Sequence, residues 1–135
     1  MIFIDSSFFI ALRNDRDGRH REALELAGRL EGQPLVTSNH VRGETWTFLR
    51  RRVGHGAAVH FLNTLDDTET VDVLAIGAEL EARALAWLRK NDERVYSFVD
   101  ATSFALMRSL KIRQALAFDG DFTAAGFTEL RPAGG

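Results

Sequence analysis

Met1-Ile2-Phe3-Ile4-Asp5-Ser6-Ser7-Phe8-Phe9-Ile10-Ala11-Leu12 opens the chain with two apolar runs divided by one carboxylate and two hydroxyls. Ile2, Phe3 and Ile4 are β-branched or aromatic and read as a strand buried on both faces, whereas residues 8–12 read as the start of a packed helix. Asp5 therefore ends a strand. In open parallel α/β sheets the carboxyl ends of the strands surround the crevice where ligands bind. Any further acids brought to that edge would share a site with Asp5.

Working outward, turn-rich and apolar-periodic segments alternate. Residues 19–31 carry His20, Ala23, Ala27 and Leu30 at helical spacing, and Leu35-Val36-Thr37 is a short strand after Gly32-Gln33-Pro34. Residues 39–52 and 56–66 predict two helices, and residues 69–74 a third strand. A helix over 76–90 comes next, and Ser97-Phe98-Val99-Asp100 opens another to about 110 with the spacing of a capping box. Ala115-Leu116-Ala117-Phe118 is a fourth buried strand, and Thr128-Glu129-Leu130 a fifth on an edge. This alternation predicts one domain over residues 1–135, an α/β/α sandwich of three layers around a parallel sheet of four to five strands.

Composition narrows the chemistry. Seventeen basic against nineteen acidic residues give a net charge of −2, with no basic tail to mark a nucleic-acid footprint. The absence of cysteine excludes disulfides, thiolate metal sites and cysteine catalysis. No apolar run approaches the roughly 20 residues of a membrane span and no signal-peptide pattern opens the chain, so a cytoplasmic protein is expected.

Four acids stand out by position, each with a plainer competing role. Asp5 suits the N-cap of the first helix. Glu44 lies about 60° around its helix from Val41 and about 40° from Phe48, at the border of the buried stripe. Asp100 competes with a pure capping-box role, although Phe104 and Met107 share its face. Asp119 follows a strand and precedes Gly120, so a plain turn competes, and Asp121 suits a helix cap. Asp5 and Asp119 both end predicted parallel strands, while Glu44 and Asp100 sit on helices that flank the same crevice. Crowded carboxylates require shifted pKa values or a bound cation. A set made only of oxygen ligands selects hard cations, Mg²⁺ or Mn²⁺, and such a site suits phosphoryl chemistry.

With these residues in view, the chain resembles the PIN-domain ribonucleases, and among them the VapC-type toxins of toxin–antitoxin pairs, over nearly its whole length. The resemblance is carried by Ile2-Phe3-Ile4-Asp5-Ser6-Ser7, by residues 37–44 ending in Arg42-Gly43-Glu44, by Tyr96-Ser97-Phe98-Val99-Asp100-Ala101 and by Ala117-Phe118-Asp119-Gly120-Asp121-Phe122. It implies an endoribonuclease dependent on Mg²⁺ or Mn²⁺ that hydrolyses RNA phosphodiester bonds. It further implies Asp5, Glu44, Asp100 and Asp119 as an acidic quartet, with Ser6 or Ser7 as the hydroxyl after the first acid. A homodimer silenced by a VapB-like antitoxin belongs to the same implication. Asp119 and Asp121 both match the last motif, so the identity of the fourth ligand stays open.

Arg42 and Arg50 are candidates for RNA phosphate contacts, against the plainer reading of Arg50-Arg51-Arg52 as cations at a helix C-terminus. The histidines show no zinc-like spacing. A DxSxS adhesion site fails at Phe9, a haloacid-dehalogenase-like Asp-x-Asp fails at Ser7, and neither Lys90 nor Lys111 follows a strand as a phosphoreceiver requires. The competing reading is a PIN-like module that has lost catalysis and only binds protein.

Overall fold

In the computed structural model, which describes residues 1–133, the expected alternation runs from end to end. Gly134 and Gly135, the end of the expected domain, lie outside the described residues. The strands are β1 (Ile2–Ile4), β2 (Leu35–Ser38), β3 (Val71–Leu74), β4 (Gln114–Leu116) and β5 (Thr128–Glu129). All pair in parallel, in the order β3-β2-β1-β4-β5. Helices α1 (Ser6–Arg13) and α2 (His20–Arg29) follow β1, and α3 (Asn39–Arg52) and α4 (His55–Asp67) follow β2. After β3 come α5 (Ala78–Lys90) and α6 (Phe98–Leu110), and α7 (Asp121–Ala124) joins β4 to β5. The fold is the expected α/β/α sandwich, with five strands.

The strand order explains where a site can form. From β1 the chain steps through β2 to β3 on one side, then returns to β4 on the other side of β1. Right-handed crossovers then put the helices of the two excursions on opposite faces. Accordingly α1 packs on α2 and α3, and α3 on α4, while α6 packs on α5 and α7. The reversal between β1 and β4 is the topological switch point, and the crevice opens past their carboxyl ends.

β1 is central, and its three residues are all buried, which is why it reads as a continuous apolar run. β3 lies at the edge with Asp72 exposed, so it shows alternation instead. Phe104 on α6 and Phe122 on α7 are both fully buried and meet edge to face at 4.9 Å, and Phe122 also stacks on Phe3 at 6.1 Å. These rings anchor the two segments that carry Asp100 and Asp121, one turn and one residue away respectively. The apolar core thus reaches directly under the crevice.

Candidate active site

Asp5 leaves β1 with its backbone N–H still on the ladder, donating to the Leu116 carbonyl at 3.0 Å. Its Oδ2 caps α1, accepting from the Ser7 N–H at 3.1 Å and the Ser7 hydroxyl at 2.7 Å. The same hydroxyl accepts from the Phe118 N–H at 3.0 Å, so Ser7 ties the first acidic segment to the chain leaving β4. The capping role is therefore real but uses one oxygen. Asp5 is 1% exposed, and its Oδ1 is buried with no hydrogen-bond partner among the described residues.

Asp100, Asp119 and Asp121 form a group in which one carboxylate oxygen of each lies within 4.8 Å of the others. Asp100 is the third residue of α6 and completes the expected capping box, accepting from the Ser97 N–H at 3.0 Å while its own N–H donates to the Ser97 hydroxyl at 2.9 Å. Capping and convergence coexist at this residue. Asp119 and Asp121 are both brought in by the turn at Gly120, whose φ of 82° is the left-handed conformation glycine adopts without strain. Asp121 also receives a hydrogen bond from Arg94 Nε at 2.9 Å, and a second Arg94 nitrogen donates to the Asp119 carbonyl at 3.2 Å.

The electrostatics follow from burial and crowding. Burial first, then the charge of Asp119, raises the Asp5 pKa to about 8, against the opposing hydrogen bonds from Ser7. Asp100 is raised to about 6, again by burial first, with the charges of Asp119 and Asp121 adding and the Ser97 hydrogen bonds opposing. Asp119 shifts upward through burial and the charges of Asp121 and Glu129. All three shifts disfavour the ionised forms, as a metal-free carboxylate cluster must.

Glu44 is half-buried on α3, as its place at the border of the stripe predicts, and its carboxylate accepts a hydrogen bond from the Ser6 hydroxyl. It stands outside the group of three, next to Asp5 through the neighbouring serine. Arg42 is half-buried two residues earlier on α3, and Arg50 is exposed in the last turn of that helix.

Glu129 and Arg131 also shape the site, and the sequence reading passed over both. The Glu129 side chain is 2% exposed and accepts from the Gly120 N–H at 3.2 Å, the Thr123 N–H at 2.9 Å and Arg131 at 3.0 Å. Arg131 in turn donates to the Ala117 carbonyl at 2.7 Å. The pair braces the Asp119–Asp121 turn from below. Glu129→Ala leaves two N–H groups and a guanidinium without their acceptor, so a stability loss of about 2 to 4 kcal/mol is expected in denaturant unfolding. A loss under about 0.5 kcal/mol would show that other contacts hold the turn.

The donors fit a divalent cation. They are all carboxylate oxygens, three already lie close together, and Asp5 supplies a buried oxygen that lacks a partner, which is costly unless something positive meets it.

Comparison with known proteins gives the family and the fold. The PIN domain profile matches residues 2–128. The chain is 54% identical over 132 residues to the 23S rRNA-specific endonuclease VapC20 of Mycobacterium tuberculosis, in strains CDC 1551 and H37Rv alike, covering 98% of this chain and 99% of that protein. The crystal structure of Mycobacterium tuberculosis VapC20, a sarcin–ricin loop cleaving toxin, superposes with a TM-score of 0.91 at 51% identity, over 98% of this chain and all of that one.

Proposed function

The chain belongs to the PIN-domain family, among the VapC toxins, and from that premise we propose that it is an endoribonuclease toxin using Mg²⁺ or Mn²⁺ to hydrolyse a phosphodiester bond in an exposed loop of 23S rRNA. The observation that carries this reading is the convergence of Asp100, Asp119 and Asp121 beside the unpartnered Oδ1 of buried Asp5. Asp5, Asp100 and Asp119 hold the metal in this proposal, with Asp121 shared between the cluster and Arg94. A cation held by these carboxylates would supply a water of lowered pKa and charge to offset that of the phosphate oxygens.

The chain's own groups do the rest. Ser7 fixes Asp5 against the β4 exit, and Glu44, bonded to the Ser6 hydroxyl, would take the proton of the attacking water as its oxygen bonds to phosphorus, while the ribose oxygen leaves phosphorus and takes a proton from solvent. In this proposal Arg42 and Arg50, both on α3, contact the RNA backbone, whose charge supplies affinity independent of sequence. The proposal includes a VapB-like antitoxin that silences the site, a homodimer and action in the cytoplasm. No helix among the described residues is long and apolar enough to cross a membrane.

Incubating the protein with purified ribosomal RNA in Mg²⁺, in Mn²⁺ and in excess EDTA, and mapping the ends produced, tests the proposal. Discrete cuts are expected with either metal and none with the chelator. Undiminished cleavage in EDTA would refute the metal site, and no cleavage under any condition would favour the module that only binds protein.

A further inference from the structure

Beside the acids lies a second concavity of about 270 Å³, walled by Phe48, Phe118, Ile10, Arg19, Ser7 and Asp119. We propose that it is a subsite for one unpaired nucleobase next to the scissile phosphate, a reading that deepens the ribonuclease proposal and rests on it. Two of its walls belong to the catalytic centre. Asp119 is one of the converging acids, and the Ser7 hydroxyl is bound to Asp5. Phe48 follows Glu44 by four residues on α3, so the helix presents the acid and the ring on neighbouring turns of one face. An RNA with its phosphate at the acids would bring the adjoining base to this place.

The chemistry of the walls suits a base. Phe48 and Phe118 are half-buried rings beside the concavity, and each carries a guanidinium over it: Arg52 on Phe48 at 5.7 Å, Arg19 and Arg131 on Phe118 at 5.5 and 5.1 Å. Arg19 is held by Glu22 at 2.9 Å with nearly half of its side chain exposed, and it is one of the walls of the concavity. Aromatic faces and Arg planes are what proteins use to stack splayed-out RNA bases. The volume falls just below the roughly 300 Å³ at which sites for drug-sized molecules begin, which suits a single base rather than a larger ligand. Arg19 offers a cation at the rim, where a phosphate of the same nucleotide can lie, and Asp17 and Asp119 are the two carboxylates of the lining.

The test uses a sarcin–ricin loop RNA hairpin and a series of hairpins in which each loop nucleotide in turn is an abasic ribose. Wild-type protein with Mg²⁺ or Mn²⁺ is expected to lose about 10-fold or more in kcat/KM at one position beside the cut. Phe48→Ala should cut the intact hairpin more slowly by a similar factor and no longer distinguish that abasic position, while staying sensitive at the others. Phe48→Tyr, which keeps the ring, should behave as wild type, and Arg19→Ala, a change at the exposed rim, should weaken the same discrimination without disturbing the core. Wild-type sensitivity at every position in both Phe48→Ala and Arg19→Ala would overturn the subsite and leave the ribonuclease standing. Failure of the wild type to cut any hairpin in the presence of metal would bring down both.

Discussion

Asp5→Asn is expected to reduce RNA cleavage by on the order of 10³-fold or more, the scale on which loss of one member of a jointly acting set is read. The same change should make the metal-free protein more stable at neutral pH. The reason is linkage. With its pKa at about 8 in the fold against an ordinary 3.8, Asp5 keeps its proton between about pH 4 and 8 while the unfolded chain has lost it. The folded state then binds more protons, so stability falls as pH rises, by up to about 1.4 kcal/mol per pH unit for each such group. Asp100, raised to about 6, adds its share between about pH 4 and 6. Asparagine at position 5 removes the first contribution and keeps an N-cap acceptor for α1. Unfolding measured in EDTA from pH 4 to 9 should therefore give a steeper decline for wild type than for Asp5→Asn, the two converging at the acid end. Parallel curves, or a variant that still cuts RNA, would mean that Asp5 is not the buried acid of the site.

Much of this was readable from the chain because the signals were local. Ile2–Ile4 announced a central strand by lacking polar alternation, and the position of Asp5 after it pointed to the switch-point crevice before any topology was known. Glu44 could be placed at the border of a buried stripe from angles alone, and it is half-buried there. What the sequence left open was two-sided chemistry. A capping box at Ser97 and Asp100 is written identically whether or not the carboxylate also faces other acids, and in the structure Asp100 does both. Asp119 and Asp121 could not be separated because a single left-handed glycine turns both toward the crevice.

Four-residue α7 is too short for periodicity, and Glu129 was lost in an edge strand of two residues. The available signal was an acid inside Phe127-Thr128-Glu129-Leu130, the same kind of interruption that drew attention to Asp5. Phe48 and Phe118 read as core residues in a linear scan, since only the fold puts α1, α3 and the β4 exit around one concavity.

The claim underlying the whole account is that the converged acids hold a divalent cation, and Asp100 is where it competes most sharply with a structural role. A ligand that binds only the native state stabilises it by RT ln(1 + [L]/Kd), about 2.7 kcal/mol at 100 times Kd, or several degrees in melting temperature. Asn at position 100 can still accept from the Ser97 N–H, so the box survives in outline. The decisive measurement is the thermal melt of wild type and Asp100→Asn, each in EDTA and in saturating Mg²⁺. Wild type should gain several degrees with Mg²⁺, while Asp100→Asn should melt at the same or a higher temperature in EDTA and gain little or nothing from the metal. A variant weakened in EDTA by about 0.3 to 1 kcal/mol, the loss of a charge near a helix N-terminus, with the Mg²⁺ gain intact, would contradict the account.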